Sequence, residues 1–198
     1  MTNIDARKLA CPAPVLMTKE AIGNNRADTV RVLVDNEASM QNVSRFLESQ
    51  AYSVSVDAQG DDFQLTGSRE GSVSPEVDRE NAEPAAERKI MVMIGTDKMG
   101  SGDDALGLKL MINFLKTLNE MGADLWRLVF VNNGVKLTVI DSQVLDVLQK
   151  LASEGVHIMV CGTCLTHFNL MDQKRVGETT NMLDIVTAMQ LADKVVNL

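Results

Sequence analysis

The nine residues LACPAPVLM, at positions 9–17, set a cysteine between alanine and proline and place a second proline two residues further on. Proline has no backbone N–H, and the first four N–H groups of a helix have no acceptor within it. Two prolines in a first turn therefore cost that turn nothing. The carbonyl that the ring of Pro14 crowds belongs to Ala10, outside the helix. The stretch predicts a helix through PVLMTKEAI, with Pro12 and Pro14 fixing its start and Cys11 at the N-cap or just before it. There the free N–H groups and the positive end of the helix dipole favour an anion, and a thiolate is such an anion. Lys8 and Lys19 are near enough in sequence to add positive potential. A buried, inert thiol is the alternative, because free cysteine packs like a small hydrophobe.

Around this helix, IDARKL, TVRVLVD, YSVSVDA and DFQLTG read as short strands by alternation. SMQNVSRFLESQ reads as a second helix, with Ser39 as its N-cap. The order β-α-β-α-β-β predicts an α+β two-layer sandwich over residues 1–67, with helices on one face of the sheet. Residues 68–88, SREGSVSPEVDRENAEPAAER, hold six acidic against three basic residues, a net −3, with two prolines and no periodicity. They predict an acidic, flexible linker.

From residue 89 the pattern changes. KIMVMIG and VHIMVCG are near-continuous apolar runs, as strands covered on both faces require, and WRLVFVNN is a further strand. ALGLKLMINFLKTLNEM predicts a long helix ended by Gly122 as its C′ residue. SQVLDVLQKLASEG and NMLDIVTAMQLA predict two more helices, and KVVNL a last strand. Alternating β and α predicts an α/β domain with an open, mostly parallel sheet over residues 89–198. Met91, Met93, Met111 and Met159 fall on apolar faces and read as core.

The composition bounds what such a chain can do. Its 198 residues are 45% hydrophobic, enough for two small cores. A net charge of −8 disfavours nucleic acid as a partner, because phosphate neutralisation needs clustered Lys and Arg. No apolar run reaches transmembrane length, so no membrane is expected. MTNIDARKL lacks the apolar region of a signal peptide and predicts a cytoplasmic protein. Three cysteines, an odd number, do not make a disulfide framework. In a reducing compartment, catalytic, redox or metal roles come forward.

Both histidines lie beyond residue 150, which argues against a Cys–His pair around Cys11. A nucleophilic thiolate without a general base suits sulfur transfer better than acyl chemistry. In the second half, Cys161 and Cys164 directly follow a buried strand. Open α/β sheets bind ligands at the carboxyl ends of their strands, so Asp97, Ser101, Asn132 and Cys161 are expected around one crevice. The pair can cycle between dithiol and disulfide, hold part of a zinc site, carry and resolve persulfide sulfur, or sit inert in the core. If VHIMV is extended, His157 lies about 13 Å from Cys161, too far to share one zinc ion. Only Cys161, Cys164 and His167 remain as ligands, and no resident metal or other cofactor is expected. The loop GTDKMGSG resembles a phosphate loop but lacks its Lys-Ser/Thr pair. Asp103 and Asp104 would repel phosphate and are expected to cap the following helix.

IDARKLACPAPVLMTKEAI resembles the signature of the TusA-like (SirA-like) sulfur carriers, over about residues 3–67. In that family the cysteine of the Cys-Pro-x-Pro motif carries sulfur as a persulfide, a role the resemblance implies for Cys11. The family usually has glycine where this chain has Lys8. The second half, with GTDKMGSGDDALG, VCGTCL and VGETTNM, is similar to the DsrE-like sulfurtransferase domain, whose cysteine falls in the CGTCL segment. HFN stands where relatives often have a glycine near Asn169. The fusion resembles the YedF-type family, described as sulfurtransferase-like and linked to selenium metabolism. The resemblance implies a carrier or transferase of sulfane sulfur, or of selenium. Its partners would be persulfide donor and acceptor proteins, and its C-terminal domain would form a homo-oligomer.

Within the Cys161–Cys164 pair, the rigid strand end favours Cys161 as the acceptor and Cys164 as the resolving thiol. A helix start after Gly162 would lower the pKa of Cys164. Two other functions stay open: a regulatory small-molecule-binding module without turnover, and a thiol–disulfide oxidoreductase centred on the pair.

Overall fold

The computed structural model describes residues 1–10, 12–25, 28–60, 62–69 and 88–198, with Asn24 and Asn25 by their backbone alone. It divides into two compact units, Met1–Ala82 and Glu83–Leu198. Of the linker expected at residues 68–88, only residues 68, 69 and 88 are described, and Cys11 also lies outside the described residues.

The first unit runs β1 (Thr2–Asp5), α1 (Ala13–Asn25), β2 (Thr29–Val34), α2 (Glu37–Ser49), β3 (Ser53–Gln59) and β4 (Asp62–Ser68), in the predicted order. The sheet order is β1-β2-β4-β3, with β1 parallel to β2 and both β2 and β3 antiparallel to β4. The parallel β1–β2 pair needs a crossover, and α1 supplies it. Val30, Val32 and Val34 alternate along β2 and are fully buried with Leu65 against Val43 and Leu47 of α2.

The two prolines act as their chemistry predicts. The carbonyl oxygen of Pro12 accepts the N–H groups of Val15 at 3.1 Å and Leu16 at 3.2 Å, and that of Ala10 accepts from Ala13 at 3.0 Å. Pro14 is thus the second residue of α1, and its carbonyl receives the hydroxyl of buried Thr18 at 2.8 Å. The cap of α2 differs from expectation. Asn36, not Ser39, is the N-cap, because its Oδ1 accepts the Ser39 N–H at 2.8 Å and the helix begins at Glu37.

The strand expected over IDARKL stops at Asp5. Arg7 turns back on the Asp5 carboxylate at 2.6 Å and reaches Asp62 at 3.1 Å, tying the end of β1 to the start of β4. Lys8 then takes a left-handed φ of 60°, held by its N–H on Asp35 Oδ2 at 2.6 Å. Two charged contacts thus override a short alternating pattern.

In the second unit β5 (Ile90–Ile94), β6 (Leu125–Phe130), β7 (His157–Cys161), β8 (Glu178–Thr180) and β9 (Lys194–Asn197) form a sheet of order β8-β7-β6-β5-β9. Every pairing is parallel. Between the strands lie α3 (Asp104–Thr117), α4 (Leu145–Ser153), α5 (Gly162–His167) and α6 (Met182–Leu191). Leu128, Phe130, Ile158 and Val160 pack with Met111, Leu115 and Leu148 of α3 and α4, while Met91, Val129 and Met159 pack with Ile185 and Ala188 of α6. Both faces of the central strands are covered, which is why those strands read as unbroken apolar runs.

Helix α3 ends at Thr117, whose hydroxyl bonds the Asn113 carbonyl oxygen at 2.7 Å. The chain continues as a tighter 3₁₀ turn, Leu118–Asp124, and Gly122, at φ 57°, breaks that turn rather than the α-helix. The three-residue β8 was not among the expected elements and the six-residue α5 was foreseen only as a helix start after Gly162, both being shorter than any periodic window can register. Among the described residues no helix is long and apolar enough to cross a membrane.

Left-handed backbone costs a residue with a Cβ about 1–2 kcal/mol, and glycine gives back roughly 0.5–1 kcal/mol as unfolded-chain entropy. Lys8→Gly should therefore stabilise the first unit by up to about 1 kcal/mol in hydrogen exchange of the β1 and β2 amides. A loss of protection would show that the Lys8 side chain contributes more than its backbone costs.

Candidate functional site

Because the sheet is parallel, the carboxyl ends of β5, β6 and β7 share one edge, and the loops that leave them build the site. Cys161 ends β7 and is the N-cap of α5; Cys164 is the third residue of that six-residue helix. Neither is in a disulfide. Cys161 is 4% exposed and belongs to the larger core cluster, whereas Cys164 is half-buried. The turn between them lies tightly against β8, since a Cβ at Gly162 would stand 3.0 Å from Thr179 Cγ2.

Asn132, in the segment after β6, donates its backbone N–H to Cys164 Sγ at 3.1 Å. Burial is the largest influence on that sulfur and pushes its thiol above the usual cysteine range. A hydrogen bond to Cys161 acts in the same direction, and the Asn132 N–H opposes both. A helix does start at Gly162, where the sequence allowed a helix start to lower this pKa. The thiol is raised instead, chiefly by removal from water.

Asp97 and Lys136 line a pocket of about 160 Å³ with Leu108, Ile112 and Asp141. The Lys136 ammonium also rests over the Phe168 ring at 4.6 Å, and the Phe168 N–H bonds the Cys164 carbonyl oxygen at 3.1 Å. The pocket and the cysteine pair are therefore joined through the segment after β6. Ser101 is exposed in its loop and does not line this pocket. The structure thus gathers Cys161, Cys164 and Asn132, sets Asp97 one pocket away and leaves Ser101 outside. Asp103 caps α3 by accepting the Leu106 N–H at 2.7 Å, while Asp104 pairs with Lys98 at 2.6 Å.

His157 Nε2 meets Glu178 Oε2 at 3.0 Å across the β7–β8 pair, which holds the Glu178 carboxyl below its usual range. His167 stands edge-on to the Phe168 ring. Among the described residues no group of three or more His, Cys, Asp or Glu is placed to share a metal ion. In the first unit, Pro12 and Pro14 stand at the start of α1, and Lys19 is exposed about 9 Å further along its axis. Lys136 and Phe168 were not singled out by sequence reasoning. They lie far apart in the chain, and no local pattern marks their contact.

The family model for Sulfurtransferase TusA matches residues 2–69, and that for the DsrE/DsrF-like family matches residues 89–198. The chain belongs to the DsrE/DsrF-like family. It fuses that domain to an N-terminal TusA-type, SirA-like domain, and both families are related to sulfur transfer. A SirA-like protein from Desulfitobacterium hafniense is 31% identical over 34% of this chain and 96% of its own, with a TM-score of 0.32. The ychN protein from E. coli is 17% identical over 56% of this chain and 99% of its own, with a TM-score of 0.45. A protein of unknown function from Methanobacterium thermoautotrophicum is 18% identical over 56% and 99%, with a TM-score of 0.43. A comparison with curated proteins gives no match.

Lys8 and Asn169, the two positions where the resemblance implied glycine, have left-handed φ of 60° and 55°. Asn169 follows α5, and the next residue, Leu170, closes the helix end with its N–H on the Leu165 carbonyl oxygen at 2.8 Å. Asparagine tolerates this conformation better than lysine does.

Because the bond to Cys161 favours the protonated Cys164, removing that partner should lower the thiol's pKa. Cys161→Ala is expected to move the midpoint of Cys164 alkylation to lower pH, read by peptide mass across a pH series. A midpoint that stays or rises would mean that the neighbouring Cys161 thiol has no weight beside burial.

Proposed function

We propose that the chain carries sulfane sulfur as a cysteine persulfide, with Cys11 as the carrier and the Cys161–Cys164 pair as the second station. The observation that carries this reading is the half-buried, disulfide-free Cys164, which receives a backbone N–H at 3.1 Å at the ligand-binding edge of the sheet. It lies in a chain whose two parts match two sulfur-transfer families. In each transfer a thiolate attacks the outer sulfur of a hydropersulfide, and the donor leaves as a thiolate. Such exchange follows thiolate fraction and access. Access favours Cys164 over the 4% exposed Cys161 as the exchanging sulfur, with Cys161 as its supporting thiol. This reverses the order that the strand-end argument favours.

Residues 68–88 act in this reading as the linker between domains 1–67 and 89–198, letting one cysteine reach the other at high effective concentration. Persulfide donor and acceptor proteins are the partners, a homo-oligomer forms through the second domain, and the cytoplasm keeps the thiols reduced. Selenium is the alternative cargo, carried by the same nucleophiles. Pro12, Pro14 and Lys19 support the first thiolate. A second reading, a thiol–disulfide oxidoreductase, is favoured by two unbridged cysteines on one short element, Cys161 as the N-cap of α5 and Cys164 as its third residue.

Persulfide and selenide donors offered in parallel, with each cysteine read by peptide mass, test these readings. Wild type should gain one sulfur on Cys11. Transfer to the second domain should survive Cys161→Ser and be lost in Cys164→Ser. If Cys11→Ser loads as well as wild type, the carrier reading is wrong. A reversible disulfide within the pair, together with activity that survives removal of residues 1–67, would favour the oxidoreductase.

A further inference from the structure

The turn after β6 is held to the end of β5 by one hydrogen bond and by close packing of Gly134 on the same carbonyl oxygen. Val131 donates its N–H to the Ile94 carbonyl oxygen at 3.0 Å, and Gly134 closes the turn onto the Val131 carbonyl oxygen at 2.9 Å. A Cβ at Gly134 would lie 2.1 Å from that same Ile94 oxygen, so no other residue fits without moving β5 or the turn. Between Val131 and Gly134, Asn132 takes a left-handed φ of 47°, and its N–H meets the sulfur of Cys164, 32 residues away. Non-glycine residues in sparsely populated backbone regions cluster where geometry serves a function.

We propose that Asn132 is the hydrogen-bond donor that holds the Cys164 sulfur when it is negative, and that the residue serves through its left-handed backbone rather than its carboxamide. The proposal rests on the reading of Cys164 as the exchanging thiol. In the transfer, the Cys164 thiolate attacks the outer sulfur of a donor R–S–SH, and its electron pair forms the new S–S bond. The old S–S bond breaks with its pair, and R–S⁻ leaves and takes a proton from water. One S–S bond replaces another, with no net oxidation. In onward delivery Cys164 is itself the leaving thiolate, so one N–H serves both directions. A hydrogen bond to the anionic sulfur is charge-assisted, whereas one to a neutral thiol is weak, so the donor favours the charged state. It works against burial and against Cys161, the titratable group that acts directly on Cys164. Asp97 and Lys136 stand on the wall of the neighbouring pocket.

The test is the pH profile of Cys164 alkylation in the full-length chain, read by peptide mass, for wild type, Asn132→Gly and Asn132→Val. Glycine keeps the N–H and the left-handed turn and lacks the carboxamide; valine keeps the N–H but resists that turn. The glycine variant should follow wild type, and the valine variant should react about tenfold more slowly near pH 8, with its midpoint moved up. Should Asn132→Val fail to fold, Asn132→Ala takes its place as a milder opponent of the same φ. An Asn132→Gly profile as impaired as that of valine would assign the role to the carboxamide and overturn the proposal. An unchanged Asn132→Val profile would overturn it as well. Persulfide loading of wild type, run alongside, separates the two layers. If Cys164 takes up no sulfur while the alkylation pattern holds, the transfer reading falls and the donor assignment stands.

Discussion

The carbonyl oxygen of Ile94 accepts the N–H of Val131 at 3.0 Å and faces Gly134 with no space for a side chain between them. The second unit's site depends on this contact. It fixes where the chain goes after β6, and so where the Asn132 N–H points and where Lys136 can rest on Phe168. A parallel sheet offers several loops at one edge, but only a contact between two of them turns the edge into a site.

The two candidate sulfur stations meet the same chemical demand by different means. At the first, two prolines stand at the start of a thirteen-residue helix, and in the proposed reading its unpaired N–H groups would supply the positive field. At the second, α5 is only six residues long, and in the proposed reading the field would come from one aimed N–H on a half-buried sulfur. Partial burial raises that thiol and, in the proposed reading, would limit the access of adventitious thiols. The pair would therefore trade intrinsic reactivity for control over what reaches it.

Charge contacts shape the turn that follows β1. Arg7 binds Asp5 and Asp62, and Asp35 holds the Lys8 N–H, so four side chains fix a turn that the apolar pattern alone would have extended. The Asp5 carboxyl falls to about 2, chiefly through its hydrogen bond to Arg7. This pair therefore contributes fully above the ordinary carboxylate range and weakens only as the pH falls toward that value.

The order of elements in both units was legible in the sequence because it rests on short-range physics. Alternation along TVRVLV, unbroken apolar runs in the covered strands and prolines that tolerate only a first turn each act within a few residues. The same holds for the two family resemblances, which lie in contiguous motifs. What the sequence left open depends on partners distant in the chain. Ser39 and Asn36 are both good caps, and only the register of α2 chose between them. The glycine-like backbone of Lys8 and Asn169 came from contacts that hold the chain in place rather than from propensity. Cys161 and Cys164 stand three residues apart in sequence and differ in what covers them, which tertiary packing alone decides. The sequence by itself determined which residues are candidates for sulfur chemistry, because that is a property of side-chain type and local helix geometry. The tertiary structure decided which of the paired sulfurs meets solvent and which backbone N–H faces it, because burial and a hydrogen bond 32 residues long are properties of the folded chain.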